Sequence, residues 1–121
     1  MQQTDVSNGV DLIFRAFSDR TRLRILCLLR RKEVCVGDIV DILQVPQPKI
    51  SRHLAYLRKA GLVTVRKSML WCYYSLAPAH TAFHRKLLSC LSDCFSEVPQ
   101  IQADQVRAAD IKKSGGCCPP S

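Results

Sequence analysis

The stretch from Val36 to Gly61 constrains this chain more than any other. Val36, Ile39, Val40 and Leu43 fall on one face of a short predicted helix. Gln44-Val45-Pro46 interrupts it as a tight turn, because proline disfavours helical backbone at the residue before it. A second predicted helix covers about Gln47 to Ala60. Pro48 is tolerable in its first turn, where no intrahelical donor is lost. Gly61 sits where a helix C-cap is expected. Ile50, Leu54 and Leu57 face inward, leaving Lys49, Ser51, Arg52, His53 and Tyr56 for the outer faces.

The flanking segments complete a layout. Val10, Ile13, Phe14 and Phe17 keep helical spacing. Ser18 and Asp19 are good caps for a strongly apolar helix through Leu23, Leu26 and Leu29 to about Arg31. Two strands are expected after Gly61, at Leu62 to Arg66 and at the aromatic-rich Leu70 to Leu76. Lys67-Ser68-Met69 lacks the Gly or Asn of a tight hairpin, so a looser loop is expected there. Pro78 starts a long predicted helix to about Ser96, with Phe83, Leu87, Cys90, Leu91, Cys94 and Phe95 on one stripe. Pro99 is expected to break it, with a weaker helix over Ala103 to Lys112 and a tail from Ser114 to Ser121. Helix, three-residue turn, helix and basic hairpin make a winged helix-turn-helix: mainly α with a small β-hairpin wing. Residues 1–98 are read as this domain and 99–121 as a C-terminal extension.

At 121 residues the chain supports a single modest core and is short for a multi-domain enzyme. No apolar run reaches the roughly 18–20 residues of a membrane helix. The polar segment Met1 to Asn8 does not resemble a secretory signal, so a cytoplasmic protein without membrane contact is expected.

The net charge of +8 has a definite address. Between Asp41 and Asp93 there is no acidic residue, while Lys49, Arg52, Arg58, Lys59, Arg66, Lys67, Arg85 and Lys86 are basic. Such a one-signed stretch can neutralise phosphates. A helix fits the major groove of duplex DNA, and its first turns meet base edges. Gln47, Lys49, Ser51, Arg52 and His53 sit at that end. Gln and Arg can pair bidentately with bases, while Ser and Lys suit phosphates. Arg58 adds charge further along, and Arg66 and Lys67 are expected at the tip of the wing. Four basic contacts per subunit of a dimer would neutralise about eight phosphates, for a log–log salt slope of roughly −7.

QPKISRHLAYLRKAGLV, the following RK and the strand WCYYSL resemble the ArsR/SmtB family of winged-helix repressors. FSDRTRLRIL is similar to the family's second-helix signature. The resemblance covers about Val10 to Phe95. It implies a homodimer, with the first and last long helices packed between subunits, on a pseudo-palindromic double-stranded operator. It also implies repression relieved by an inducer, with no cofactor required for DNA binding.

Seven cysteines, an odd number, do not suggest a disulfide scaffold. Family members that respond to arsenite or antimonite carry ELCVCDL at the third helix. Here the matching stretch is Glu33 to Ile39, with Cys35 at the first cysteine position and Gly37 replacing the second. Trivalent arsenic is soft and takes up to three thiolates, so other cysteines are needed. Cys117 and Cys118 are adjacent, with Cα atoms about 3.8 Å apart, shorter than a disulfide prefers but usable as a chelate. Cys90, Cys94 and Cys35 are candidates for the third ligand, with buried packing as the alternative for Cys90 and Cys94. A two-thiolate site would instead suit a methylated trivalent arsenical. Cys27 reads as core and Cys72 as structural. His80 and His84 share a helix face but have no carboxylate nearby before Asp93, which disfavours zinc.

The expected function is therefore a repressor of a metalloid-resistance operon, induced by trivalent arsenic or antimony. The alternative is a thiol redox or persulfide sensor on the same fold, bridging Cys27 to Cys90 or Cys94. No motif supports a converging nucleophile, base and orienting group, so catalysis is not expected.

Overall fold

The computed structural model describes residues 6–93, 95 and 97–116. Six helices and three short strands follow in order: α1 (Val6–Phe17), α2 (Arg20–Leu29), β1 (Val34–Cys35), α3 (Val36–Leu43), α4 (Gln47–Lys59), β2 (Val63–Ser68), β3 (Trp71–Leu76), α5 (Ala82–Asp93) and α6 (Pro99–Lys113). The core has the expected composition. Ile25, Leu26, Ile39, Ile50, Leu54, Leu57 and Leu62 are all fully buried. Burying a side chain of this kind stabilises a fold by roughly 1.5–3 kcal/mol.

The central helix pair forms as its sequence predicts. α3 ends on Gln44, whose backbone adopts the left-handed conformation (φ 58°) and whose N–H donates to the Val40 carbonyl at 2.9 Å. Pro46 then occupies the N-cap of α4. At the far end, Gly61 has φ +78°, and Leu62 N–H donates to the Leu57 carbonyl at 3.0 Å. This closure needs a residue that tolerates positive φ, which glycine does without a Cβ penalty. Asp19 caps α2 by accepting a 3.0 Å hydrogen bond from Arg22 N–H.

Several expectations are corrected. The two-strand hairpin wing forms, but its sheet gains an unexpected third strand, because Val34 and Cys35 pair with Tyr74 and Tyr73 at the far side of β3. A two-residue strand has too few residues to show alternation, so periodicity misses it. The hairpin loop is tight, not loose. Ser68 pairs with Trp71, leaving only Met69 and Leu70 between the strands. Met69 supplies the positive φ (57°) that glycine or asparagine would normally provide. Arg66 and Lys67 consequently sit inside β2, opposite Tyr73 and Cys72, and the tip is Met69–Leu70. α5 is shorter than expected at both ends. Pro99 does not simply break a helix; it lies in the first turn of α6.

α6 is longer than the weak helix expected, and it packs on α2 and α3 through Ile101, Asp104, Ala108 and Ile111. Its main polar anchor is a buried ion pair. Arg24 Nε and Nη2 donate to the two carboxylate oxygens of Asp104, each at 2.8 Å, and Nη2 also donates to the Leu43 carbonyl at 2.8 Å. Arg107 donates to the Ile42 carbonyl. α6 thereby holds the last carbonyls of α3, at the turn that launches α4. Helix ends leave such carbonyls without intrahelical partners, which is why two arginines fit there.

Candidate nucleic-acid interface and thiol cavity

α4 buries Ile50, Leu54 and Leu57. The same geometry forces Gln47, Lys49, Ser51, Arg52 and Arg58 to the exposed side. These are donors suited to base edges and phosphates, carried on a helix whose entry angle is fixed by the Gln44 and Pro46 backbone. Lys67 is exposed on β2.

His53 is placed differently. Its side chain is 14% exposed, and Nε2 lies 4.0 Å from Asp19 Oδ1 at the α2 N-cap. Burial lowers its pKa; the neighbouring Asp19 opposes that shift, while Arg22, Lys49 and Arg52 add to it. The ring joins α2 to α4. Arg22 reinforces this junction, with its guanidinium 4.1 Å from the centre of the Tyr56 ring and hydrogen bonds to the Ala16 and Arg15 carbonyls.

Arg66 is also engaged within the protein. Its Nη2 and Nε donate to the two carboxylate oxygens of Glu33 at 2.7 and 3.0 Å. The guanidinium carbon lies 4.5 Å from the centre of the Tyr73 ring. Hydrogen bonding from Arg66 holds the Glu33 carboxyl below the usual range. Cys35, Tyr73 and Arg66 are direct cross-strand partners, so one row of the sheet runs from Cys35 through Tyr73 to Arg66. Glu33 was not legible as a partner: it lies 33 residues from Arg66 and no local pattern joins them.

Cys35 is 2% exposed and precedes the first turn of α3. It is disulfide-bonded; Cys27, Cys72 and Cys90 are not. A cavity of about 230 Å³ opens beside it, lined by Leu28, Asp38, Tyr73, Ile111 and Gly116 among others. The end of α6 reaches this cavity through two glycines of positive φ, Gly115 (+94°) and Gly116 (+71°). A Cβ on Gly116 would fall 2.8 Å from Asp38 Oδ2, and its φ of +71° is one that residues with a Cβ rarely adopt, so glycine is favoured at this approach to α3. Cys94, Cys117 and Cys118 lie outside the described residues. Cys90 is half-buried on α5. Burial pushes the Cys27 thiol up to about 11, with the Arg30 charge opposing it, so at neutral pH it is protonated and a poor ligand or nucleophile. Among the described residues, no group of three or more His, Cys, Asp or Glu side chains is placed to hold a metal ion. His84 is buried and His80 exposed. No helix among the described residues is long and apolar enough to cross a membrane.

Residues 19–65 match the model of the bacterial regulatory proteins of the arsR family. The chain is 36% identical to the arsenic resistance transcriptional regulator ArsR1 of Pseudomonas putida, over 83% of this chain and 77% of that one. It is 42% identical to the arsenical resistance operon repressor of Escherichia coli, over 73% of this chain and 76% of that one. Among solved structures it is similar to HlyU of Vibrio cholerae, with a TM-score of 0.67 at 28% identity, covering 78% of this chain and 100% of the other.

Proposed function

Because the chain belongs to the arsR family of bacterial regulatory proteins, we propose that it represses a metalloid-resistance operon and leaves its operator when trivalent arsenic or antimony binds cysteine thiolates. The observation that carries the DNA-binding half is the exposed face of α4, with Gln47, Lys49, Ser51 and Arg52 presented behind a three-residue turn. Lys67 on the wing and Arg58 add phosphate contacts. The operator is double-stranded, and the protein binds it as a cytoplasmic homodimer. Phe14, 55% exposed on α1 with its ring centre 5.2 Å from that of Phe83 on α5 in a tilted pair, belongs to the dimer face in this reading.

The inducer half rests on the cavity. Cys35 and Gly116 line the same space, and Cys117 is the next residue along the chain. One covalent step of about 3.8 Å between Cα atoms therefore separates the cavity wall from the Cys117-Cys118 pair. In the reduced protein, Cys35 with Cys117 and Cys118 forms the soft trithiolate set, and a methylated arsenical takes two of the three. Cys90 and Cys94 are the reserve ligands. Inducer binding here pulls on α6, which holds the end of α3, and a ligand shifts the dimer only by its differential affinity for the two forms.

Mobility shift on its own promoter region, with arsenite, methylarsenite, antimonite, cadmium and zinc, tests this. Release by none of them refutes the metalloid reading. Cys117→Ser/Cys118→Ser is expected to keep DNA binding and lose induction.

The thiol-redox reading has one observation in its favour, the disulfide at Cys35. It does not favour Cys27, whose thiol is buried and protonated. Operator binding that is lost on mild oxidation and restored by dithiothreitol, without any response to arsenite, is the result expected from that sensor.

A further inference from the structure

One of the two wing cations, Arg66, is engaged within the protein in this structure, and the group that holds it is Glu33. Arg66 lies in β2 within the acid-free span, yet two short hydrogen bonds join it to a carboxylate from the loop before β1. Its flat face is covered by Tyr73. The pairing is bidentate, the same fork geometry a guanidinium uses on a phosphate. A carboxylate in that position therefore occupies the groups through which Arg66 would grip a DNA backbone. The pair is also open to solvent, with side-chain exposures of 43% for Arg66 and 30% for Glu33. A buried pair would be locked, whereas an exposed one exchanges partners at little cost. Arg66 Nη and Nε are thus within reach of an incoming phosphate, but in competition with Glu33.

We propose that Glu33 is an internal phosphate mimic, a positioning residue that withholds Arg66 from operator DNA and so limits the number of phosphates each subunit neutralises. This rests on the DNA-binding reading above and names one control on it. Glu33 lies two residues before Cys35 and lines the same cavity, so the carboxylate that holds the wing cation stands at the edge of the thiol site.

The test is the salt dependence of binding, which counts phosphate contacts and does not respond to stability alone. Fluorescence anisotropy is measured without inducer between 50 and 300 mM KCl, on a labelled duplex from the protein's own promoter and on a random duplex of equal length. The proteins compared are the full chain, Glu33→Gln, Arg66→Gln and the double variant, each first checked for folding by circular dichroism. Glu33→Gln is expected to bind more tightly, with a log–log slope steeper by about 1.8, roughly 0.9 per released phosphate contact for two subunits. Arg66→Gln is expected to keep the original slope, and the double variant to return to it. An unchanged or shallower slope in Glu33→Gln overturns the proposal, because the carboxylate then merely braces the wing. A shallower slope in Arg66→Gln also overturns it, because Arg66 would already be on the DNA. The random duplex separates the two levels of inference. If the promoter shows no preference over it, the repressor reading fails, while the slopes on random DNA still decide the role of Glu33.

Discussion

Replacing Asp104 by Asn should destabilise this protein more than any change on the exposed face of α4. The side chains of Arg24 and Asp104 are only 10% and 4% exposed, and their two 2.8 Å hydrogen bonds are supplemented by the Arg24 contact to the Leu43 carbonyl. Asn keeps the shape but removes the charge, leaving the Arg24 guanidinium buried with no counter-ion of equal strength. Breaking a buried pair by removing one partner costs about 3–5 kcal/mol. A domain of this size has a total stability of about 5–15 kcal/mol, so the loss is a large share of it. With a urea slope of about 1.5 kcal/mol/M, a loss of 3 kcal/mol lowers the unfolding midpoint by about 2 M. Urea titration followed by far-ultraviolet circular dichroism, at one fixed protein concentration so that any self-association contributes equally to each variant, reads this directly. The double variant Arg24→Leu/Asp104→Leu should regain at least half of the loss, since apolar groups of similar size carry no desolvation penalty. A midpoint shift below 0.5 M in Asp104→Asn would refute the reasoning. So would a double variant no more stable than the single one.

Three further outcomes are expected. Met69→Gly should raise the thermal midpoint by a few degrees, because a left-handed residue other than glycine costs roughly 1 kcal/mol and the side chain is 93% exposed; an unchanged or lower midpoint would show that Met69 is not strained. Burial of His84, with a smaller contribution from His80, lowers its pKa, so its contribution to stability is complete above about pH 6.5, where the unfolded histidine is also neutral. That contribution is lost as the pH falls through 6.5 towards the folded pKa. His84→Leu should flatten the fall in urea midpoint between pH 7 and pH 5 without abolishing it, because the pKa of His53 is lowered in the same direction. Finally, iodoacetamide at pH 8 should leave Cys27 unmodified in the folded protein and alkylate it in urea, as mass spectrometry of its peptide would show; rapid labelling of the native protein would contradict its burial and raised pKa.

The contrast between α4 and α6 shows what a local reading reaches. The features that define α4 as a helix are short-range: the Pro46 start, the Ile50–Leu54–Leu57 stripe and the Gly61 cap. α6 has almost no amphipathic pattern, because much of its anchoring is polar, through Asp104 and Arg107. Arg24 was equally hidden, being a charged residue in an apolar helix whose partner lies 80 residues away. The candidate thiol site divides in the same way. Cys35 stands out by its place in a motif, but that Gly116 meets Asp38 beside it is a fact of packing.

The amino-acid sequence by itself determined the helix-turn-helix and the basic face of its second helix, because helical periodicity, caps and charge act within a few residues; the family came from the resemblance of whole motif strings. Only the tertiary structure decided where that machinery is restrained. The added strand at Cys35, the Glu33 clasp on Arg66 and the α6 anchor on α3 through Arg107 all join residues distant in sequence. Such pairings leave no periodic trace, since each is specified by the folded geometry and not by the spacing of its partners along the chain.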